Sequence, residues 1–189
     1  RGMTKHRTAY LNARLLDPET NLDAQGDLLL EDGRITDLGP GLFSDGPPSG
    51  ADIVDCAGHC LSPGLFDMRV QVREPGAEHM ESIESAGHAA AAGGVTSIVC
   101  LPNTHPVIDD VSVVEFIARR AREAKLAKVF CYGSLTRGMN GAELTEMGLL
   151  AETGVLGFTD GEKALSNPLV LRRALSYART FNLLLLQHP

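Results

Sequence analysis

The densest group of residues able to do chemistry in this chain is the run Arg69-Val70-Gln71-Val72-Arg73. On an extended strand, side chains two residues apart point to one side, so Arg69 and Gln71 share a face. Arginine keeps its proton and offers no lone pair, and glutamine is a weak, neutral oxygen donor. That face is therefore poorly suited to a metal ion. Arg73 reads either as a structural ion pair with Glu74 or Glu78, or as a guanidinium fork for a carboxylate. His188 follows the apolar run Leu183 to Leu186 and reads either as a core histidine or as a ligand at a strand end. Asn103, between Pro102 and Pro106, either shapes a turn or contacts a ligand. Cys56-x-x-x-Cys60 has no second cysteine pair within reach, so it is structural. His59, His79, His88 and His105 are scattered and read as structural or surface residues. Asp109-Asp110 reads as a helix start, and Arg119, Arg120, Arg122, Lys125 and Lys128 as a solvated helix end. No hydroxyl nucleophile stands out with a histidine and an acid, which argues against a serine hydrolase.

These residues need a scaffold, and composition bounds it. The chain has 189 residues, 43% hydrophobic and 22% charged, the balance of a globular protein rather than a disordered one. A formal charge of −7 argues against a nucleic-acid binder, whose phosphate contacts need clustered Lys and Arg. No apolar run approaches the ~20 residues that span a bilayer, so no membrane association is expected. The start, with Arg1-Gly2 ahead of Met3, has no apolar segment behind it and reads as neither a secretory signal nor native sequence before Met3. Four cysteines without a dense framework fit a reducing cytoplasm.

Residues 1–62 read as short strands and turns, with Asp32-Gly33 as a hairpin signal and a loop rich in Gly and Pro from Gly39 to Gly50. Residues 63–189 alternate strand and helix. Strands are predicted at about 65–72, 95–101, 128–133, 155–159 and 183–187, and helices at about 80–92, 110–125, 142–153 and 167–180. In the second helix Val114, Ile117, Ala118, Ala121 and Leu126 form an apolar stripe. Parallel βα units follow. No Gly-x-Gly-x-x-Gly and no phosphate-binding lysine loop is present, so a nucleotide-binding open sheet is disfavoured. A full βα barrel takes roughly 250 residues, and five strands cannot close it. The expectation is an α/β fold with an incomplete (β/α) barrel of about five strands behind a small N-terminal β-sandwich segment, either a fragment or a chain whose remaining strands lie beyond Pro189.

The stretch Ser62-Pro63-Gly64-Leu65-Phe66-Asp67-Met68-Arg69-Val70-Gln71-Val72-Arg73-Glu74-Pro75-Gly76 resembles the first-strand signature of the amidohydrolase superfamily in its dihydroorotase form, Pro-Gly-Leu-x-Asp-x-His-x-His-x-Arg-Glu-Pro-Gly. The segments Ala89 to Thr96, Leu101 to Pro106, Phe158-Thr159-Asp160-Gly161 and Gln187-His188 continue the likeness over almost the whole chain. The resemblance implies a zinc-dependent cyclic amidase of pyrimidine biosynthesis, in which metal-activated hydroxide attacks dihydroorotate or a related cyclic amide. It also implies that Arg73 and Asn103 hold the substrate carboxylate and that Asp160 and His188 are metal ligands. Arg69 and Gln71 occupy the two histidine positions of that signature, and Gly161 replaces a second aspartate.

Two functions follow from this resemblance. The leading one is a metal-free, non-catalytic dihydroorotase homologue, cytoplasmic and homo-oligomeric, that holds aspartate transcarbamoylase in an assembly. Arg69 then stands where the metal's charge would stand and pairs with Asp160. The alternative is an active enzyme whose rebuilt zinc site uses Asp160, His188 and residues beyond Pro189.

Overall fold

The computed structural model describes residues 6–188. The readings placed on Arg1-Gly2-Met3 and on Pro189 lie outside the described residues. The chain forms two units, Arg1–Pro63 and Gly64–Pro189.

The first unit is one sheet of five strands: β1 (Arg7–Asp17), β2 (Leu22–Glu31), β3 (Arg34–Gly39), β4 (Asp52–Asp55) and β5 (Cys60–Leu61). The order is β3-β2-β1-β4, with β5 also on β1. β1 runs antiparallel to β2 but parallel to β4 and β5. Asp32 and Gly33 join β2 to β3 with φ of 50° and 75°, the pair of positive φ values that a tight hairpin needs to match strand twist. Ala13, Leu15 and Leu28 form the buried centre of this unit, with Tyr10, Leu22 and Leu61 packed around them.

The second unit is built on parallel strands β6 (Leu65–Val70), β7 (Val95–Cys100) and β8 (Lys128–Cys131), in that spatial order. Helices α1 (Ile83–Ala92), α2 (Val111–Ala124), α3 (Met147–Glu152) and α4 (Pro168–Phe181) follow in the predicted sequence. The fourth and fifth predicted strands are present only as parallel bridges, Gly133↔Phe158 and Phe158↔Leu185. Their hydrogen bonds nonetheless extend the ladder: Phe158 N donates to Leu184 O at 2.9 Å, and Thr159 N donates to Gly133 O at 3.0 Å. The shortening has a local cause. Leu183 to Leu186 contains no β-branched residue to favour long pairing. At Gly133, a Cβ would lie 2.8 Å from the Phe158 ring, so only glycine lets the two strands meet there.

Phe158 is fully buried, in a core with Val72, Ile98, Ile117, Leu135 and Leu150. α2 contributes Val113, Val114 and Ile117 to it, whereas Leu126, expected in the stripe, is 39% exposed. The helix opens on Asp110, whose carboxylate accepts from Ser112 N at 2.9 Å, and closes on Lys125 in the left-handed region.

The Ser112 side-chain and backbone hydrogen bonds hold the Asp110 carboxyl below its ordinary value. A carboxylate so lowered stabilises the fold above its unfolded pKa of about 3.9, and that stability is lost as pH falls through the folded value. Asp110→Ala is therefore expected to cost about 1 kcal/mol near neutral pH. The gap to the parent should close below about pH 4 in urea titrations. An equal gap at both pH values would show that the cap is not ionic.

Candidate functional site

The end of β6 and the residues after it carry the run Arg69 to Glu74, along which burial alternates. Val72 and Glu74 are buried, while Arg69 is exposed and Gln71 and Arg73 are half-buried. The inward face anchors the segment. Glu74 accepts from Ile83 N, the first residue of α1, at 2.8 Å, and from Arg120 Nε of α2 at 2.6 Å. The partner of Glu74 is thus Arg120 and not Arg73. Arg120 is correspondingly not a solvated helix-end charge: a buried carboxylate needs a cation and donors, and this helix supplies the cation.

The outward face carries a hydrogen-bonded chain. Arg73 Nη2 donates to Gln71 Oε1 at 2.5 Å, and Gln71 Nε2 donates to Glu162 Oε1 at 2.6 Å. An amide can do this because it donates and accepts at once, so it joins a cation to an anion without contributing charge. Glu162 was not singled out from the sequence. The only signal was its place directly after Thr159-Asp160-Gly161.

Asp160 is buried but does not pair with Arg69 among the described residues. Its Oδ1 accepts from Leu135 N and Thr136 N, each at 2.9 Å, and its Oδ2 accepts from Thr136 Oγ1 at 2.5 Å. Two backbone amides and a hydroxyl on the loop after β8 supply what the guanidinium was expected to supply. Asn103 lies half-buried after β7, and its Oδ1 is buried with no hydrogen-bond partner among the described residues. No hydrogen bond joins it to Arg73 among those residues.

Arg69 and His188 do come together. Both line a cleft of about 260 Å³ at the C-terminal ends of the parallel strands, together with Tyr132 and Thr159. Burial raises the Tyr132 phenol above its ordinary pKa, so it stays protonated there.

A zinc centre requires several anionic or imidazole donors converging on one point. The donor set here does not fit one. Arg69 has no lone pair, Gln71 is spent between Arg73 and Glu162, and both Asp160 oxygens are engaged. Among the described residues no three His, Cys, Asp or Glu side chains are grouped to hold a metal ion. Cys100 and Cys131 face each other across β7 and β8, but burial pushes the Cys131 thiol up to about 12 and Cys100 up as well. Both are thiols at neutral pH and serve the core.

Comparison with known proteins bears on this arrangement. The model of the dihydro-orotase-like family matches residues 58–185. A dihydroorotase of Wolbachia sp. subsp. Brugia malayi is 45% identical over 97% of this chain and 41% of its own length. A dihydroorotase of Pelobacter propionicus is 46% identical over 94% of this chain and 41% of its own. The chain thus spans about two fifths of the length of these curated relatives. Among solved structures, the L-hydantoinase of Arthrobacter aurescens superposes with a TM-score of 0.78 at 17% identity, covering 94% of this chain and 39% of that one. At that identity the likeness carries the fold alone, an amidohydrolase barrel of which β6 to the Leu185 bridge are the first strands. With a family model over most of its length, and strands, loops and spaced motifs in that order, the chain belongs to the dihydro-orotase-like family of amidohydrolases.

Proposed function

We propose that this protein is a non-catalytic dihydroorotase homologue of pyrimidine biosynthesis, a cytoplasmic homo-oligomer that serves as a structural partner of aspartate transcarbamoylase. The observation that carries the reading is the pair Arg69 and Gln71 at the strand positions where the family signature has histidines. Gln71 is tied into the Arg73–Gln71–Glu162 chain, which occupies the polar face of the strand end. Asp160 is spent on the loop at Leu135 and Thr136, where its charge organises backbone rather than facing the cleft. Intact scaffold motifs beside a rewired strand end favour a protein kept for its surface, and the partnership is supported by the family resemblance.

Three outcomes test this. Full-length protein incubated with zinc and desalted should retain less than about one tenth of an equivalent, since structural and catalytic sites hold zinc tightly. It should also leave dihydroorotate unchanged and co-elute with aspartate transcarbamoylase. One equivalent of zinc, or turnover abolished by a chelator, would sink the reading and favour a rebuilt site that includes Asp160 and His188.

The double substitution Arg69→His and Gln71→His places two imidazoles on the face that shares its cleft with His188. Zinc retention is expected to rise toward about one equivalent only if the remaining ligands are in place. A folded double variant that stays empty would place the loss beyond β6.

Asp160 separates a ligand from a structural anchor. Asp160→Asn presents an amide to donors that need an acceptor, and is expected to cost about 1–3 kcal/mol in urea unfolding with no change in metal content. Unchanged stability would remove the anchoring role.

A further inference from the structure

Carboxylates near the strand ends of the second unit have partners, whereas the Arg69 guanidinium has none among the described residues. Glu162 is held by Gln71, Asp160 by Leu135 and Thr136, and Asp67 accepts the backbone amide of Arg69 at 3.0 Å. The Arg69 guanidinium itself has neither an ion pair nor a hydrogen bond among the described residues. It lines the 260 Å³ cleft, and no Asp or Glu side chain lines that cleft with it. An arginine cannot shed its charge, so a cleft of this kind holds a fixed positive potential that favours anions.

The remaining walls narrow the ligand. Leu101 is buried and Leu186 half-buried, and both face the cleft as apolar surface. The Thr159 hydroxyl accepts from Gly161 N at 3.1 Å, and its own proton has no acceptor among the described residues. We propose that this cleft binds a small aliphatic carboxylate, its carboxyl group forked by Arg69 and its hydrocarbon stem laid against Leu101 and Leu186. A planar carboxylate matches the two parallel N–H bonds of a guanidinium. An inorganic oxyanion matches the charge but leaves the leucine walls facing water. The site is separate from Arg73 and Asn103, neither of which lines the cleft. The inference rests on the reading of Arg69 as a replacement for metal ligation, and gives that replacement a ligand of opposite sign.

The test is calorimetric titration of the full-length protein, in the presence of EDTA, with sodium acetate, sodium butyrate and inorganic phosphate. Butyrate is expected to bind more tightly than acetate, by about fivefold to fifteenfold, because two more methylenes leave water. Phosphate should bind more weakly than butyrate. Arg69→Gln should weaken butyrate by about tenfold or more, and Arg69→Lys by less, since an ammonium keeps the charge but not the fork. Arg69 is exposed, so both variants should keep the parent's circular dichroism. Equal butyrate affinity in Arg69→Gln, or no butyrate binding by the folded parent, would overturn the proposal. Phosphate binding as tightly as butyrate would overturn the carboxylate assignment. Zinc content measured on parallel samples without EDTA keeps the two readings apart. An equivalent of zinc fails the metal-free function, whereas zinc-free protein that ignores butyrate fails this inference alone.

Discussion

A carboxylate that is 5% exposed survives in a fold only if both oxygens find donors, and around Asp160 this requirement shapes the second unit. Its three bonds reach back some two dozen residues, to Leu135 N, Thr136 N and the Thr136 hydroxyl. The loop after β8 is thereby fixed to the loop after the Phe158 bridge. Thr136 Oγ1 also accepts from Gly141 N at 2.9 Å, so the hold extends into the following turn. The segment around Phe158 is also held by backbone hydrogen bonds on both sides, among them Leu156 N to Cys131 O at 3.0 Å and Leu186 N to Phe158 O at 2.9 Å. Asp160 continues that hold just beyond the bridge, where the strand gives way to loop.

The same bonds decide the electrostatics of the cleft. A buried charge satisfied by backbone amides has no remaining need of a guanidinium, and Arg69 stands exposed with no ion pair among the described residues. Glu162, the other acidic group nearby, is taken by Gln71, which passes the interaction on to Arg73. Positive charge therefore stands at the strand ends where the family signature has histidines, but as a donor fork rather than as an acceptor of anionic ligands. A metal ion and an arginine are alike in sign and opposite in their demands. The ion needs lone pairs pointed inward, and the arginine needs them on whatever comes to it.

Much of this was legible in the sequence. The alternation of apolar strands with helices makes the order of β6 to α4 legible, and α1, α2 and α4 carry their own N-caps, such as Asp110 at the start of α2. The Asp32-Gly33 hairpin was legible for the same local reason. What could not be read was any property that depends on a donor from another element. Arg120 looked like one basic residue among five at a helix end, and only packing brings it to Glu74. The expected Arg69–Asp160 pair failed likewise: opposite charges predict attraction, but backbone amides, which every residue carries, leave no mark in a sequence. Leu183 to Leu186 has the hydrophobicity of a full strand, and hydrophobicity does not say how many residues pair.

The period-two alternation along 69–74 explains why two such different roles could be separated in evolution on one short segment. Val72 and Glu74 face inward, to the core and to the α1 and α2 anchors, and a change there would reach the packing of two helices. Arg69, Gln71 and Arg73 face outward, where Gln71 meets Arg73 and Glu162 and none of the three enters the helix packing. Replacing outward residues therefore rewrites the chemistry of the strand end without touching the scaffold that holds it. Family motifs that are structural, such as Glu74-Pro75-Gly76, and motifs that are chemical, such as the two positions at 69 and 71, lie within eight residues of each other. The strand lets the chemistry of its outward face vary without disturbing the packing of its inward face, and the proposed loss of metal ligation rests on that independence.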